Sequence, residues 1–218
     1  SFLSGILFHG FYLGGVFYSI SKGMPTGIAA LIVTLQPVLT NALSGPILNE
    51  KISVKQWVGV LLGFVGATLV LGLDVGTKIP LTGVVATIIA LLSITFSTIW
   101  QKKLSNNLPL SVSNFYQAVG GCLFHVFIII FFVEPYINFT KTFIIAMCHQ
   151  IFLVSFGAFT ILMFLIKKNS ASKTVSIFFL IPATSAFIAW FFLNETLTSL
   201  DLVGFLIATT GVYIATRN

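Results

Sequence analysis

Polar side chains inside long apolar segments are the residues of this sequence that could bind a small molecule. Gln36, Thr40 and Ser44 follow one another at four-residue steps and would share one face of a helix. Their amide and hydroxyl groups can both donate and accept hydrogen bonds. Similar sets on one helical face are His9 with Tyr12, Ser93 with Ser97, and Gln117 with His125. A single polar residue of this kind more often bonds a neighbouring helix than a ligand, so the convergence of several on one cavity is the sharper hypothesis.

Patterns typical of catalysis are absent from the sequence. None of the three histidines is followed by glutamate, so the zinc-protease pattern His-Glu-x-x-His does not occur. The nucleophile turn Gly-x-Ser-x-Gly and the phosphate-binding pattern Gly-x-x-x-x-Gly-Lys-Ser/Thr are missing too. Cys122 and Cys148 lie in separate apolar segments without metal-ligand spacing. The sequence therefore predicts no enzyme, no metal site, no cofactor and no self-contained ATP-driven pump.

The composition places the elements that carry these side chains in a membrane. The chain of 218 residues is 57% hydrophobic and 7% charged, whereas about a quarter of the residues in soluble domains are charged. A membrane-spanning helix needs about 20 apolar residues, and charged and turn residues divide the chain into eight such blocks. They are 2–20, 27–48, 53–73, 79–100, 111–133, 143–166, 174–193 and 199–216. Barrel strands would be half as long and alternating, so the sequence predicts an all-α integral membrane protein with eight transmembrane helices.

A repeat at an offset of 145 residues organises these helices. Residues 22–73 align with 167–218 without a gap, and 11 of the 52 pairs are identical. The blocks at 79–100 and 111–133 have no partner, because their partners would fall before residue 1. The repeat predicts a first half at 1–73 with the last three of its five helices, and a complete second half at 79–218. The eight helices are thus three plus five from a five-plus-five architecture.

Basic residues indicate the orientation, since they are retained on the cytoplasmic side of membrane proteins. When alternate connections are assigned to one side, eight basic residues fall together and three fall on the other side. The larger group is Lys51, Lys55, Lys102, Lys103, Lys167, Lys168, Lys173 and Arg217, and the smaller group is Lys22, Lys78 and Lys141. The C-terminus is therefore predicted to be cytoplasmic, and the two halves to be inverted. Many secondary transporters use inverted repeats for alternating access.

The repeated motif resembles that of a known family. A proline inside a helix, an Asn-Glu at its end and a following helix with spaced glycines all occur twice. This repeated motif resembles that of the EamA-type permeases of the drug/metabolite transporter superfamily. The resemblance covers essentially the whole chain, which lacks the first two helices of the family's pattern. It implies a ten-helix, inverted five-plus-five fold that moves small metabolites such as amino acids, or toxic compounds.

The repeated residues suggest structural roles. Pro37 and Pro182 each free a backbone carbonyl in mid-helix, which predicts either a hinge beside a cavity or a static kink. Glu50 and Glu195 end two spans, which favours carboxylates that accept hydrogen bonds from helix-start amides over proton-coupling groups. Small residues predict close packing, either between the two helices that carry them or between protomers of a homodimer. These are Gly59, Gly63, Gly66, Gly204 and Gly211.

The resemblance also suggests where a substrate would bind. It implies a central cavity lined by the first, third and fourth helices of each half, here the blocks at 2–20, 27–48, 79–100, 143–166 and 174–193. The polar groups near mid-span in these blocks are the predicted substrate contacts: His9, Tyr12, Gln36, Asn41, Ser93, Ser97, Gln150 and Ser185. Gln36 ranks first because it adjoins the proline bend and its amide both donates and accepts. Gln117 and His125 rank lower, since their helix is expected to be peripheral.

The preferred hypothesis is a secondary transporter of a small metabolite, amino acid or drug-like compound, acting by alternating access. The alternative is a non-transporting membrane scaffold or an inactive truncated remnant. The predicted partners are the lipid bilayer, a small-molecule substrate and, if the glycines pack between protomers, a second copy. The net charge of +6 includes no dense basic run, so no nucleic-acid partner is predicted. The predicted location is the plasma membrane, as the inner membrane of a bacterium.

Overall fold

Helices make up the regular structure of the part of the chain that the computed structural model describes, which is residues 1–72, 79–105, 108–132, 134, 136–193, 196 and 198–217. Eight of these helices are long and apolar enough to cross a membrane. They are α1 (Phe2–Ser21), α2 (Thr26–Leu48), α3 (Val54–Leu71), α4 (Leu81–Leu104), α5 (Leu110–Phe132), α6 (Lys141–Lys168), α7 (Ala171–Ile188) and α8 (Ser199–Thr216). The predicted all-α membrane fold with eight spans is confirmed. Its division into three plus five helices stays a prediction.

Two helices are interrupted just before a proline. In α2 the regular helix stops at Val33 and resumes at Gln36, and in α7 a tighter turn at Ile177–Leu180 precedes the helix that begins at Ile181. Pro37 and Pro182 explain both breaks. Proline has no backbone N–H, and its ring collides with the carbonyl four residues earlier. The breaks therefore fall at positions that the 145-residue offset relates.

Two other helices widen in mid-span. Ile6–Gly14 in α1 and His149–Ala158 in α6 form π-helical segments. Hydrogen bonds in such a segment run from residue i to i+5, so each turn holds more residues than in an α-helix. Residues three apart, such as His9 and Tyr12, consequently point in more divergent directions than a regular helix would give them.

The helices α3 and α8 pack closely along a series of glycines. A Cβ atom on Gly59 would lie 2.4 Å from the Ala215 nitrogen, and one on Gly66 would lie 2.3 Å from the Ala208 nitrogen. Gly211 likewise approaches the backbone of Gly63. Real Cβ atoms do not approach other atoms so closely, so these backbones touch only because the side chains are absent. The predicted packing glycines thus lie at a contact within one chain.

The ends of α2, α4 and α6 meet beside the start of α7. The Lys102 ammonium donates hydrogen bonds to the carbonyls of Asn169 at 2.6 Å and Ile166 at 3.0 Å. The Glu50 carboxylate accepts one from the Ala171 amide at 2.7 Å. Because Lys51, Lys102 and Lys167 belong to the larger group of basic residues, we call this end of the bundle the basic end. The opposite end carries Lys22 and Lys141.

Reporter fusions are expected to place the basic end in the cytoplasm. A reporter active only in the cytoplasm should be active when fused after Arg217 or inserted within 101–107, since the basic residues there are retained on that side. The same reporter inserted after Lys22 should be inactive. An inactive reporter at Arg217 together with an active one at Lys22 would reverse the predicted orientation.

Candidate functional site

A cavity of about 670 Å³ lies between α1, α2 and α7, with smaller contributions from α3 and α4. It extends from Gln36 and Pro182 in mid-span to Thr26 and Leu71, which lie next to the opposite end of the bundle. Both interrupted helices contribute their prolines to its wall. Since proline breaks the helix there, the two bends open the space between α2 and α7.

The cavity wall is mostly apolar and partly aromatic. Phe8, Tyr12 and Phe178 contribute rings, and none of the described residues that line the cavity is charged. Among the described residues, no group of three or more His, Cys, Asp or Glu side chains comes together as a metal site would require. An ion without a partner would be costly to transfer into such a wall. The described wall therefore offers apolar contacts and hydrogen bonds but no charged partner.

Three of the predicted contacts line this cavity. They are Tyr12, Gln36 and Ser185, one from each of α1, α2 and α7. Gln36 is 1% exposed, and its Nε2 donates to the Thr98 hydroxyl of α4 at 3.1 Å. This bond fixes the orientation of the amide at the floor of the cavity.

The other five predicted contacts lie elsewhere. His9 packs between α5 and α6, where its ring lies 5.1 Å from that of Phe159 and its Cβ lies against Gly121. Ser97 of α4 shares a hydrogen bond of 2.8 Å with Ser4 of α1. The remaining three are Asn41, which is buried against α7, Ser93, which is buried in α4, and Gln150, which is exposed on α6. No residue of α6 lines the cavity, although the resemblance implied that this helix would.

Sequence reasoning missed the aromatic wall. Phe8 and Phe178 line the cavity but were not among the predicted contacts, because phenylalanine is common throughout these apolar segments and no spacing distinguishes these two. Thr34 lines the cavity as well, with its hydroxyl bonded to the Ala30 carbonyl at 2.7 Å. Thr34 could have been predicted from Pro37, because the helix break before this proline exposes the neighbouring residues to the cavity.

Glu50 caps the N-terminus of α7 and not that of α3, the helix that follows it in the chain. Its two carboxylate oxygens accept hydrogen bonds from the amides of Ala171 at 2.7 Å and Ser172 at 3.5 Å. The start of α3 is capped separately by the Ser53 hydroxyl. A carboxylate at a helix start also interacts favourably with the helix dipole, so Glu50 ties the end of α2 to α7. Glu195, its predicted counterpart, lies outside the described residues.

A buried polar cluster lies at the basic end beyond Gln36. The Ser172 hydroxyl bonds the Asn41 carboxamide oxygen, and the Gln56 Nε2 donates to the same hydroxyl at 2.7 Å. Four buried polar atoms in the halves of α2 and α4 nearer the basic end have no hydrogen-bond partner among the described residues; they are Thr40 Oγ1, Asn41 Nδ2, Ser44 Oγ and Gln101 Nε2. Each buried polar atom without a partner costs about 1–3 kcal/mol, so the burial of these four atoms is energetically unfavourable.

Comparisons with known proteins agree with this architecture. The EamA-like transporter family matches residues 1–72 and 81–217. The uncharacterised transporter YvbV of Bacillus subtilis is 29% identical over 217 residues, which cover 94% of this chain and 66% of that protein. A probable amino-acid metabolite efflux pump of Salmonella typhimurium is 23% identical, covering 91% of this chain and 70% of that protein. The names are those of transport proteins and not of enzymes.

A solved crystal structure shares the fold. It superposes with a TM-score of 0.83 at 18% sequence identity, covering 99% of this chain and 74% of that chain. At this identity the similarity concerns the arrangement of the helices alone.

Proposed function

This chain belongs to the EamA-like transporter family, and we propose that it carries a small, uncharged or zwitterionic metabolite across the plasma membrane as a secondary transporter. The observation that carries the proposal is the cavity between α1, α2 and α7, with its apolar wall and the hydrogen-bonding side chains of Tyr12, Gln36 and Ser185 among those that line it. A substrate with an apolar body and one or two polar groups fits this wall. Amino acids, their metabolites and drug-like compounds are the substrate classes with that chemistry.

The positions of the helix interruptions support alternating access as the mechanism. The breaks before Pro37 and Pro182 fall in α2 and α7, which the 145-residue offset relates. The π-helical segments of α1 and α6 are related by the same offset. Secondary transporters built from inverted repeats place interrupted helices around a site near the bilayer midplane. We infer that the bends at the two prolines are the places where α2 and α7 change shape.

Reconstitution into lipid vesicles tests the proposal. The full-length protein should support flux of at least one member of a panel of labelled amino acids, amino-acid metabolites and amphipathic drugs. An excess of the unlabelled compound should compete with the labelled one, since a carrier site saturates. If properly folded protein moves none of the panel, the alternative of a non-transporting scaffold gains and the proposed function falls.

Substitution of Gln36 tests the position of the binding site. Gln36→Ala removes a carboxamide at the cavity floor, so substrate binding should weaken by about 1–3 kcal/mol through the lost buried hydrogen bond. In transport kinetics this appears as a rise of about five- to 150-fold in KM, with unchanged expression.

Gln117→Ala is the matched control for this test. Gln117 is as buried as Gln36 but lies on α5, where its Nε2 contacts Ser113 at 3.4 Å and it does not line the cavity. Its substitution should leave KM unchanged. An unchanged KM in Gln36→Ala, combined with a raised KM in Gln117→Ala, would put the substrate path on other helices than those proposed.

A further inference from the structure

The buried polar atoms at the basic end point to a continuation of the cavity. We propose that Thr40, Ser44 and Gln101 line the closed half of the substrate path and bind water and the polar group of the substrate when the basic end opens. The proposal rests on the transport function proposed above. It adds the residues through which the substrate passes between the cavity and the basic end.

These three residues follow Gln36 toward the basic end. Gln36, Thr40 and Ser44 occupy one face of α2 at four-residue steps, a length of roughly 12 Å along the helix. Gln36 bonds Thr98 of α4, and Gln101 lies about one turn further along α4. Both helices run toward the basic end, because Glu50 after α2 and Lys102 in α4 contact the same 166–172 segment. Gln101 and Thr40 therefore lie at a similar depth, beyond the cavity floor.

The polar line is continuous with the cavity but closed to solvent. Gln36 lines the cavity, while Thr40 and Ser44 are 0% exposed and Gln101 is 3% exposed. All three carry a polar atom without a hydrogen-bond partner among the described residues. Alanine at these positions would pack without that cost. In a second conformation, with the basic end open, water molecules would form hydrogen bonds with these atoms.

Two charged side chains hold this half closed. Glu50 accepts hydrogen bonds from the first amides of α7, and Lys102 donates to the last carbonyls of α6. The corner between α6 and α7 is thus held by an anion at a helix start and by a cation at a helix end, as the helix dipoles favour. Opening of the basic end requires that the start of α7 separate from Glu50.

Cysteine labelling tests the path without knowledge of the substrate. The full-length protein in vesicles carries Cys122→Ala and Cys148→Ala, which remove both exposed native thiols. Single cysteines are then placed by Thr40→Cys and Ser44→Cys in the proposed path and by Val33→Cys in the open cavity. Val60→Cys, at a fully buried core position, is the matched control. A membrane-impermeant thiol reagent is applied to each side of the membrane in turn.

Thr40→Cys and Ser44→Cys should react from the basic end, and Val33→Cys from the opposite end, while Val60→Cys reacts from neither. Glu50→Gln is then added to each variant, which weakens the hydrogen bonds between residue 50 and the first amides of α7. Because loss of charge-assisted hydrogen bonds shifts a two-state equilibrium by about tenfold or more, the rate at Ser44→Cys should rise by that factor. The rate at Val33→Cys should fall at the same time.

The outcomes separate this inference from the proposed function. If Thr40→Cys and Ser44→Cys react no faster than Val60→Cys, with or without Glu50→Gln, the proposed path is wrong. Labelling at Val33→Cys in the same experiment would still support the cavity as the binding site. If Val33→Cys is also unreactive from both sides, the proposed cavity falls too. Equal acceleration at all four positions in Glu50→Gln indicates a loosened fold and overturns the role of Glu50 in closing the path.

Discussion

Gly59→Ala should strongly destabilise the folded protein, because the added methyl group meets the backbone of α8. The new Cβ would lie 2.4 Å from the Ala215 nitrogen and 2.6 Å from the Gly211 carbonyl oxygen. Both atoms belong to the backbone of α8, which cannot rotate away as a side chain would. Overpacking of this kind costs about 1–3 kcal/mol and occasionally more. The double variant Gly59→Ala, Gly66→Ala should therefore yield little monodisperse protein in detergent.

Gly45→Ala is the control for this change. A Cβ there lies 3.8 Å from its nearest neighbour, the Glu50 carbonyl oxygen, which is an ordinary contact distance. Alanine is about 1 kcal/mol better than glycine inside a helix, so the thermal midpoint should stay equal or rise. Equal midpoints for Gly59→Ala and Gly45→Ala would show that α3 and α8 do not pack as the structure places them. A loss that depends on protein concentration would instead favour packing between protomers.

Ala30→Trp should abolish transport while the protein still folds. Ala30 lines the cavity from α2, and an indole there fills space that the substrate needs on its way from the opposite end to Gln36. The apolar wall accommodates an aromatic ring without an unpaired charge. Flux of any substrate that the wild-type protein carries should drop to the level of empty vesicles, with expression and thermal midpoint close to those of the wild type.

Ile47→Trp provides the comparison on the same helix. Ile47 is 39% exposed on the outer surface of α2, near the basic end, where tryptophan is well tolerated at a membrane interface. This variant should transport normally. If Ala30→Trp retains wild-type flux, the cavity between α1, α2 and α7 is not the substrate path. If both variants lose flux, the loss reflects damage to α2 and the cavity is again unsupported.

The sequence predicted the helices because their signals are local. A span must be apolar over about 20 residues to cross the hydrocarbon core, and the block predicted at 27–48 agrees with Thr26–Leu48 to within one residue. The helix breaks were also readable, since Pro37 and Pro182 act on the turn that precedes them. The π-helical segments left no comparable sign, because no residue type is required for them.

The candidate site could be predicted only in part, as α2 illustrates. Gln36 and Asn41 are both polar, lie five residues apart and are both buried, yet Gln36 lines the cavity and Asn41 bonds Ser172 of α7. In the same way Tyr12 lines the cavity, whereas His9 packs against α5 and α6. Which of two polar residues meets the cavity depends on where the neighbouring helices pack.

The sequence by itself therefore determined the membrane class, the eight spans, the proline breaks and the positions where helices can approach closely. These follow from properties of single segments, namely hydropathy over a span, the missing N–H of proline and the missing side chain of glycine. The tertiary structure decided that Gly59 meets Ala215, that Glu50 caps α7 across 121 residues of chain, and which of the predicted polar residues share a cavity. Contacts between distant segments depend on how helices rotate and cross, and no local pattern specifies that geometry.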